Sequence, residues 1–195
     1  MRITSGKARG ISLKSPKGDA TRPATDAARQ AIFSSLGGAV EGADVLDLFA
    51  GTGSYGLEAL SRGAKSAVFI ESSRQALAAL RENLEAVKKS LGKTEASVSS
   101  VDAFRFANAS GKNFGFVFAD PPYHMLSDEK ALPKILSLFC SLSGEGTVFI
   151  LEAPAEFELP EEFGENENTR KKFEEIKRLG KKSKGKPSQI IFKIS

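Results

Sequence analysis

Five short apolar runs alternate with helix-like stretches through the middle of the chain, and this alternation constrains the fold more than any other feature. Continuous apolar runs of this length are typical of strands that are buried on both faces. Strands that alternate with helices predict a parallel sheet covered by helices and joined by right-handed crossovers. The predicted strands are Asp44–Ala50, Ala67–Glu71, Ala96–Asp102, Phe114–Asp120 and Thr147–Glu152, and the predicted helices cover 55–62, 73–91 and 128–142.

The N-terminal part of the chain departs from this pattern. Short alternating pieces around Gly6 and Gly10, within residues 2–14, predict a small two-stranded β-ribbon. Apolar residues then recur at helical spacing from an N-cap at Thr25 until Gly37 ends the helix. We expect these elements to form an appendage to the alternating core.

The C-terminal part departs from it in another way. Apolar residues spaced two to three apart begin at Phe173, and a basic turn leads from them into the run Gln189–Ile194. This arrangement predicts an antiparallel hairpin that closes one edge of the sheet. The fold we expect is therefore doubly wound α/β, with a mostly parallel, seven-stranded, Rossmann-like sheet. Its core domain covers residues 39–195 and its N-terminal appendage covers residues 1–38.

The composition is that of an ordinary globular chain of 195 residues, of which 41% are hydrophobic and 27% charged. These values exclude a collagenous or intrinsically disordered chain and allow one sizeable core. No apolar run approaches the roughly 20 residues that span a bilayer, and the polar N-terminus predicts no signal peptide. The single cysteine, Cys140, excludes an intrachain disulfide and suits a reducing compartment. We therefore expect a cytoplasmic protein that does not bind membranes.

The net charge of +4 conceals a strong asymmetry along the chain. Residues 1–38 carry seven basic and two acidic side chains, and residues 168–195 carry ten basic and two acidic ones. The intervening residues carry eleven basic and twenty acidic side chains. Basic ends of this kind favour either a polyanionic partner or a pair of solvated tails. Charge alone does not decide between these two possibilities.

A glycine-rich loop follows the first predicted strand, with the spacing Gly51-x-Gly53-x-x-Gly56. Glycines there allow a tight turn and a close approach of the backbone to a ligand, with a helix N-terminus behind them. Glu71 ends the second strand, where a carboxylate can accept both hydroxyls of a ribose. These features predict a nucleoside cofactor, but a nicotinamide dinucleotide would use the same plan.

Two further carboxylates favour S-adenosylmethionine over a dinucleotide. Asp47 precedes the glycine-rich loop, where it suits the amino group of a methionine tail better than a pyrophosphate. Asp102 ends the third strand and supplies an acceptor for an adenine edge. The predicted cofactor is therefore S-adenosyl-L-methionine, with S-adenosyl-L-homocysteine as the product.

The tetrapeptide Asp120-Pro121-Pro122-Tyr123 follows the fourth predicted strand. Two consecutive prolines fix φ and hold the Asp120 carboxylate and the Pro121 carbonyl as neighbouring acceptors. A planar exocyclic amine offers two N–H donors to such a pair, and Tyr123 offers a ring on which a flipped-out base can stack. The element therefore predicts methyl transfer to an exocyclic amine, with catalysis by positioning and electrostatics.

These residues carry a resemblance to the bacterial ribosomal small-subunit RNA methyltransferase D family, and the resemblance covers nearly the whole chain. Its most specific parts are the segment Arg22-Pro-Ala-Thr-Asp26 and the segment Gly56-Leu-Glu-Ala-Leu60. The Asp-Pro-Pro-Tyr element is shared more widely, with DNA amino-methyltransferases and other RNA enzymes. One departure is Gln30, which stands where the family usually has an acidic residue.

The resemblance implies methylation of the N2 amine of a guanine in 16S ribosomal RNA, within the small subunit or its assembly intermediate, by a monomer. It implies the Rossmann-like fold of S-adenosylmethionine-dependent methyltransferases. We expect no metal ion in the site. The residues expected to bind the cofactor are Asp47, Ala50, Gly51, Thr52, Gly53, Glu71, Ser72, Asp102 and Ala103, and the catalytic ones are Asp120, Pro121, Pro122 and Tyr123. The residues expected to bind RNA are Arg2, Lys7, Arg9, Arg22, Thr25, Arg29, Lys181, Lys182 and Lys184.

Two alternatives remain open at the level of the sequence. One is an amino-methyltransferase that acts on DNA or on another RNA, although no stretch of the chain is long enough for a separate target-recognition domain. The other is a non-catalytic RNA-binding or ribosome-assembly factor that keeps the fold without turnover. The intact Asp-Pro-Pro-Tyr element argues against the second alternative.

Overall fold

A computed structural model describes residues 1–16, 25–106, 108, 111–164, 166–180, 183 and 185–195. The chain divides into two compact units, Met1–Phe106 and Ala107–Ser195. Each unit contains its own strands and helices, and each carries a different part of the predicted site.

The first unit contains three parallel strands in the order β3-β2-β1. Its strands are β1 (Asp44–Leu48), β2 (Ser66–Ile70) and β3 (Glu95–Ser99). Its helices are α1 (Asp26–Leu36), α2 (Ser54–Ser61) and α3 (Arg74–Leu91), with short 3-10 turns at Gly37–Val40 and Ala103–Arg105. The predicted parallel βα arrangement is confirmed here.

Side-chain caps determine where helices α1 and α3 of the first unit begin. The Thr25 hydroxyl accepts a hydrogen bond from the Ala28 N–H at 3.1 Å, which confirms Thr25 as the N-cap of α1. Ser73 caps α3 in the same way, through the Ala76 N–H at 3.4 Å. The helix α3 ends at Leu91, with Gly92 as its C-cap, so it closely matches the predicted range 73–91.

The predicted N-terminal β-ribbon is wrong. One isolated antiparallel bridge, between Arg2 and Ser12, is all the β-pairing in the described part of this segment. Beside this bridge the Ile3 N–H donates to the Ile11 carbonyl at 2.9 Å, but other backbone donors of the segment bond to helix α2: the Thr4 N–H to Glu58 at 2.8 Å, and the Ala8 N–H to Ser61 Oγ at 3.0 Å. Tertiary hydrogen bonds to α2 therefore take up donors that a longer ribbon would have used for strand pairing.

The second unit contains five strands in the order β4-β5-β8-β7-β6. The pair β4–β5 is parallel, and the remaining pairs are antiparallel, so the predicted C-terminal hairpin is confirmed as β7–β8. Phenylalanines fill its core, where the rings of Phe149 and Phe192 stack with centroids 5.2 Å apart. The elements are β4 (Phe116–Ala119), α4 (Tyr123–Ser127), α5 (Ala131–Leu142), β5 (Val148–Pro154), β6 (Glu162–Phe163), β7 (Lys171–Leu179) and β8 (Pro187–Ile194).

Two details of the second unit differ from the sequence-based expectation. The described residues contain eight strands in all, one more than predicted, because the two-residue strand β6 pairs with the start of β7. A strand of two residues has no period that a sequence pattern could reveal. The short helix α4 was also missed, since it begins at Tyr123, directly after the two prolines of the predicted catalytic element.

Candidate active site

The glycine-rich loop turns sharply between β1 and α2. Gly53 has a φ of +78°, and a Cβ at this position would lie 2.2 Å from Leu80 Cδ1, so both backbone conformation and space require glycine. Phe49, which precedes the loop, has a φ of +54°, a costly conformation for a non-glycine residue. Such strain is concentrated at ligand-binding sites, which agrees with a cofactor role for this loop.

Glu71 and Gly51 are brought together as the sequence predicts. One Glu71 carboxylate oxygen accepts the Gly51 N–H at 2.7 Å, and the other accepts the N–H groups of Ser72 and Ser73 at 2.8 and 2.7 Å. These three bonds fix the carboxylate at the carboxyl end of β2, beside the glycine-rich loop. A carboxylate has about four acceptor positions, so one remains for a ribose hydroxyl.

Asp47 is buried within β1, with 2% of its surface exposed. Burial raises the pKa of its carboxyl group to about 8, the hydrogen bond from the Gly56 N–H opposes this shift, and the charge of Glu71 adds to it. The Gly56 N–H lies 2.8 Å from Asp47 Oδ2, so the side chain also holds the start of α2 against the strand. Its predicted contact with a cationic methionine tail stays a prediction.

Asp102 and Ala103 lie where the chain leaves β3. Asp102 is exposed, and its carboxylate accepts the Phe104 N–H at 2.9 Å, which starts a short 3-10 turn. The Phe104 ring meets the Phe49 ring edge-on, with centroids 6.1 Å apart. This contact joins the turn after β3 to the residue that precedes the glycine-rich loop. The predicted adenine-binding and loop residues are therefore neighbours within the first unit.

The Asp-Pro-Pro-Tyr element lies in the second unit, directly after β4. Pro121 is buried and Pro122 caps helix α4, whose Met125 N–H donates to the Pro122 carbonyl at 2.8 Å. Tyr123 is half-buried at the first position of that helix. The element is therefore held by a buried proline on one side and a helix on the other.

Glu152, on β5, is a residue of this site that the sequence analysis missed. It is 5% exposed, and the Tyr123 hydroxyl donates to its Oε1 at 3.4 Å, while Gln189 Nε2 donates to its Oε2 at 3.4 Å. Burial, followed by the charges of Glu152 and Asp120, raises the pKa of the Tyr123 hydroxyl above its usual range. An acidic residue at the end of an apolar run, the signal that identified Glu71, would have identified Glu152 as well.

Three of the residues predicted to bind RNA, Arg2, Lys7 and Arg9, have exposed side chains on the N-terminal segment. Thr25 is also exposed, although its hydroxyl is engaged in capping α1. Their contact with RNA stays a prediction. Four others lie outside the described residues, namely Arg22, Lys181, Lys182 and Lys184.

Arg29, by contrast, is buried, although it was predicted to bind RNA. Its side chain is fully buried, with Nε 3.4 Å from Glu58 Oε2 and Nη2 2.9 Å from Asp26 Oδ1. It also donates to the Arg2 carbonyl. A buried guanidinium that is bonded on three sides has no face for a phosphate, so we assign Arg29 a structural role.

Two other features are absent from the residues that the structure describes. No cluster of three or more His, Cys, Asp or Glu side chains there could hold a metal ion. No helix in that part of the chain has the length and apolar character required to cross a membrane.

Solved structures define the class of protein to which this fold belongs. The Escherichia coli protein yhhF, a provisionally named methyltransferase, aligns over 98% of this chain and 96% of its own, with a TM-score of 0.74 and 28% identity. A hypothetical protein of Thermus thermophilus aligns over 99% of both chains, with a TM-score of 0.74 and 29% identity. Fold and site together define a methyltransferase that uses S-adenosylmethionine.

Residues 1–180 match the family described as Conserved hypothetical protein 95, and the chain belongs to this family. The chain is 37% identical to YlbH of Bacillus subtilis, a provisionally named rRNA methyltransferase, over 88% of this chain and 92% of that protein. It is 38% identical to ribosomal RNA small subunit methyltransferase D of Escherichia coli, over 63% of this chain and 60% of that protein. The family resemblance found in the sequence is thereby confirmed.

Proposed function

We propose that this protein transfers a methyl group from S-adenosylmethionine to the exocyclic N2 amine of a guanine in 16S ribosomal RNA. The observation that carries the proposal is the Asp120–Tyr123 element after β4, which the structure holds between a buried proline and a helix. It occurs in a chain 38% identical to a small-subunit rRNA methyltransferase. The cofactor residues of this proposal belong to the first unit and the amine-binding residues to the second.

The first unit supplies the cofactor site. Glu71 accepts a ribose hydroxyl, Asp102 accepts from the adenine amine, and the backbone of Gly51 and Gly53 approaches the methionine moiety. Asp47 interacts with the amino group of that moiety. The remaining cofactor residues of this proposal are Ala50, Thr52, Ser72 and Ala103. The support for this assignment is the Glu71–Gly51 bond and the contact between Phe49 and Phe104, which keep the residues close.

The second unit supplies the amine site. The Asp120 carboxylate and the Pro121 carbonyl accept the two N–H donors of the guanine amine, which directs the nitrogen lone pair towards the sulfonium methyl group. The nitrogen forms its bond to the methyl carbon as the carbon–sulfur bond breaks, and the amine then loses a proton to solvent or to Asp120. Tyr123 stacks on the base, and its hydroxyl bond to Glu152 fixes the ring. The rate enhancement arises from orientation and from removal of the sulfonium charge.

The basic ends of the chain supply the attraction to RNA. Residues 1–38 form an RNA-binding appendage to the methyltransferase domain 39–195, with exposed Arg2, Lys7 and Arg9 among its contacts. Arg22, Thr25, Lys181, Lys182 and Lys184 contribute further contacts. We propose that the protein acts in the cytoplasm as a monomer, on the small subunit or on its assembly intermediate.

Incubation with labelled S-adenosylmethionine and under-methylated small subunits tests this function. Asp120→Ala removes one of the two acceptors, and Glu129→Ala, at an exposed position after α4, serves as the matched control. We expect label in RNA with the parent and the control, and a rate at least about 100-fold lower with Asp120→Ala. Label that enters DNA or subunit protein instead, or an Asp120→Ala rate equal to that of the parent, would contradict the proposal.

A further inference from the structure

Asn83, on α3, connects two segments of the first unit that have different predicted roles. Its side chain is buried, with 1% of the residue exposed. Asn83 Oδ1 accepts the Lys14 N–H at 2.7 Å, and Asn83 Nδ2 donates to the Lys14 carbonyl at 3.0 Å. The same Nδ2 donates to the Thr52 carbonyl at 3.0 Å. One amide group therefore holds the N-terminal segment and the glycine-rich loop together through their backbones.

Both partners of Asn83 lie beside residues of proposed function. Thr52 stands between Gly51 and Gly53, which are proposed to face the cofactor. Lys14 ends the N-terminal segment that carries the exposed Lys7 and Arg9.

The N-terminal segment does not depend on Asn83 for its attachment to the unit. Ser61 Oγ accepts the Ala8 N–H at 3.0 Å and donates to the Ser5 carbonyl at 2.5 Å, and Glu58 accepts from Thr4. Gly6 also packs closely against Ser61, since a Cβ there would lie 1.8 Å from the Ser61 carbonyl oxygen. Ser61 and Glu58 therefore anchor the N-terminal segment, whereas Asn83 links it to the glycine-rich loop.

We propose that Asn83 is a positioning residue that couples the cofactor site to the RNA-binding segment. A bound cofactor orders the glycine-rich loop, and through the Thr52 carbonyl and Asn83 it orders the backbone at Lys14. The N-terminal segment then has less conformational entropy to lose when RNA binds, so each ligand strengthens the binding of the other. The RNA part of this inference rests on the proposed function, whereas the link from cofactor to Lys14 does not need RNA.

Two variants separate coupling from simple anchoring. Asn83→Asp keeps an acceptor for the Lys14 N–H but replaces the donor to the Thr52 and Lys14 carbonyls with a second acceptor, which breaks the link to the loop and leaves one bond to Lys14. Asn83→Ala removes all three bonds and serves if the Asp variant does not fold. Ser61→Ala is the matched control, because it removes two anchors of the same N-terminal segment and leaves Thr52 untouched.

The first measurement is the affinity for deproteinised 16S rRNA with and without saturating S-adenosylhomocysteine. We expect the cofactor product to tighten RNA binding by about 5-fold or more in the parent and in Ser61→Ala. The ratio should fall to near one in Asn83→Asp and in Asn83→Ala. The inference would be overturned if S-adenosylhomocysteine tightened RNA binding in the Asn83 variants as much as in the parent. It would also be overturned if Ser61→Ala lost this effect to the same extent as the Asn83 variants.

The second measurement is hydrogen exchange at the Lys14 amide, which requires no RNA. S-adenosylhomocysteine should slow this exchange in the parent and in Ser61→Ala but not in Asn83→Asp. Equal slowing in Asn83→Asp would refute the coupling role. If the unmutated protein binds S-adenosylhomocysteine and RNA independently of each other, the coupling is refuted and the proposed function is not. If it binds S-adenosylhomocysteine but not RNA, the proposed RNA substrate is refuted, and the hydrogen-exchange result decides the role of Asn83.

Discussion

Arg29 and Glu58 form an ion pair in which neither side chain is exposed to solvent, with Arg29 Nε 3.4 Å from Glu58 Oε2. The two residues are 29 positions apart and lie on different helices, α1 and α2. Glu58 also accepts from the Thr4 N–H and from Arg62 Nε, both at 2.8 Å. One buried carboxylate therefore holds α1, α2 and the N-terminal segment together.

Replacement of Glu58 by Gln should destabilise the fold severely. The variant leaves the buried guanidinium of Arg29 without its charge partner on α2, and the loss of one partner of a buried pair costs roughly 3–5 kcal/mol. Urea unfolding measures this cost. Lys65→Gln is the control, because its pair with Asp44 leaves the Lys65 side chain 63% exposed and should contribute less than about 1 kcal/mol. A Glu58→Gln variant as stable as the Lys65→Gln variant would refute this role.

Asp47 should make stability depend on pH between about 4 and 8. The pKa of its carboxyl group is about 8 in the folded chain, mainly because the group is buried, but lies near 3.8 without that environment. The folded state therefore binds the additional proton, and the associated stability is fully present below about pH 4 and is lost as the pH rises through 8. Asp47→Asn remains neutral and should not show this loss.

Urea unfolding of parent and Asp47→Asn at pH 4, 6 and 8 measures this effect. Relative to the parent, the variant should gain at least about 1 kcal/mol of unfolding free energy across this range, since one pKa unit corresponds to about 1.4 kcal/mol. The amide oxygen of Asn can still accept the Gly56 N–H, so the backbone bond is retained. A difference between the two proteins that stays constant with pH would show that Asp47 ionises normally.

Tyr123 should act through its ring rather than through its hydroxyl. Burial and the neighbouring carboxylates raise the pKa of this hydroxyl, so it stays protonated throughout the usual assay range. Tyr123→Ala should weaken RNA binding by about 1–3 kcal/mol, the contribution of one stacked base, whereas Tyr123→Phe should change it by less than half of that. Filter binding at constant salt compares the two variants. Equal losses in both would assign the contribution to the hydroxyl and its bond to Glu152.

RNA binding should weaken steeply as salt concentration rises, because lysine and arginine contacts with phosphates release counterions. Lys7→Ala and Arg9→Ala should each lower the slope of log K against log salt by about one. Lys134→Ala, an exposed lysine of α5 outside the basic ends, should leave the slope unchanged. Fluorescence anisotropy at several salt concentrations measures these slopes, and a flat parental slope would argue against a role for the basic ends.

Long, strongly patterned elements of the fold were predictable from the sequence, and segments stabilised by distant partners were not. The helix α3 and the strands of the first unit have clear apolar periods, so their positions were found within a few residues. Residues 2–14 alternate like a ribbon, but some of their backbone donors, those of Thr4 and Ala8 among them, bond to Glu58 and Ser61, more than 50 positions away. A local pattern carries no information about such partners.

The same reasoning explains which site residues could be found. Glu71 and Asp120 follow apolar strands, and position at a strand end is visible in a sequence. The burial of Arg29 could not be predicted because its partner Glu58 lies on another helix, and Asn83 gave no signal because an amide on an amphipathic helix is ordinary. Burial and long-range hydrogen bonds, rather than residue type, distinguish these two residues.

Mass-spectrometric mapping of 16S rRNA from cells with and without this protein tests the central claim most directly. We expect one guanine to carry an N2-methyl group when the protein is present and to lack it when the gene is deleted. Reintroduction of the parent should restore the modification, and Asp120→Ala at equal abundance should not. An unchanged pattern of 16S methylation on deletion, or a lost methyl group on a base other than guanine, would contradict the account.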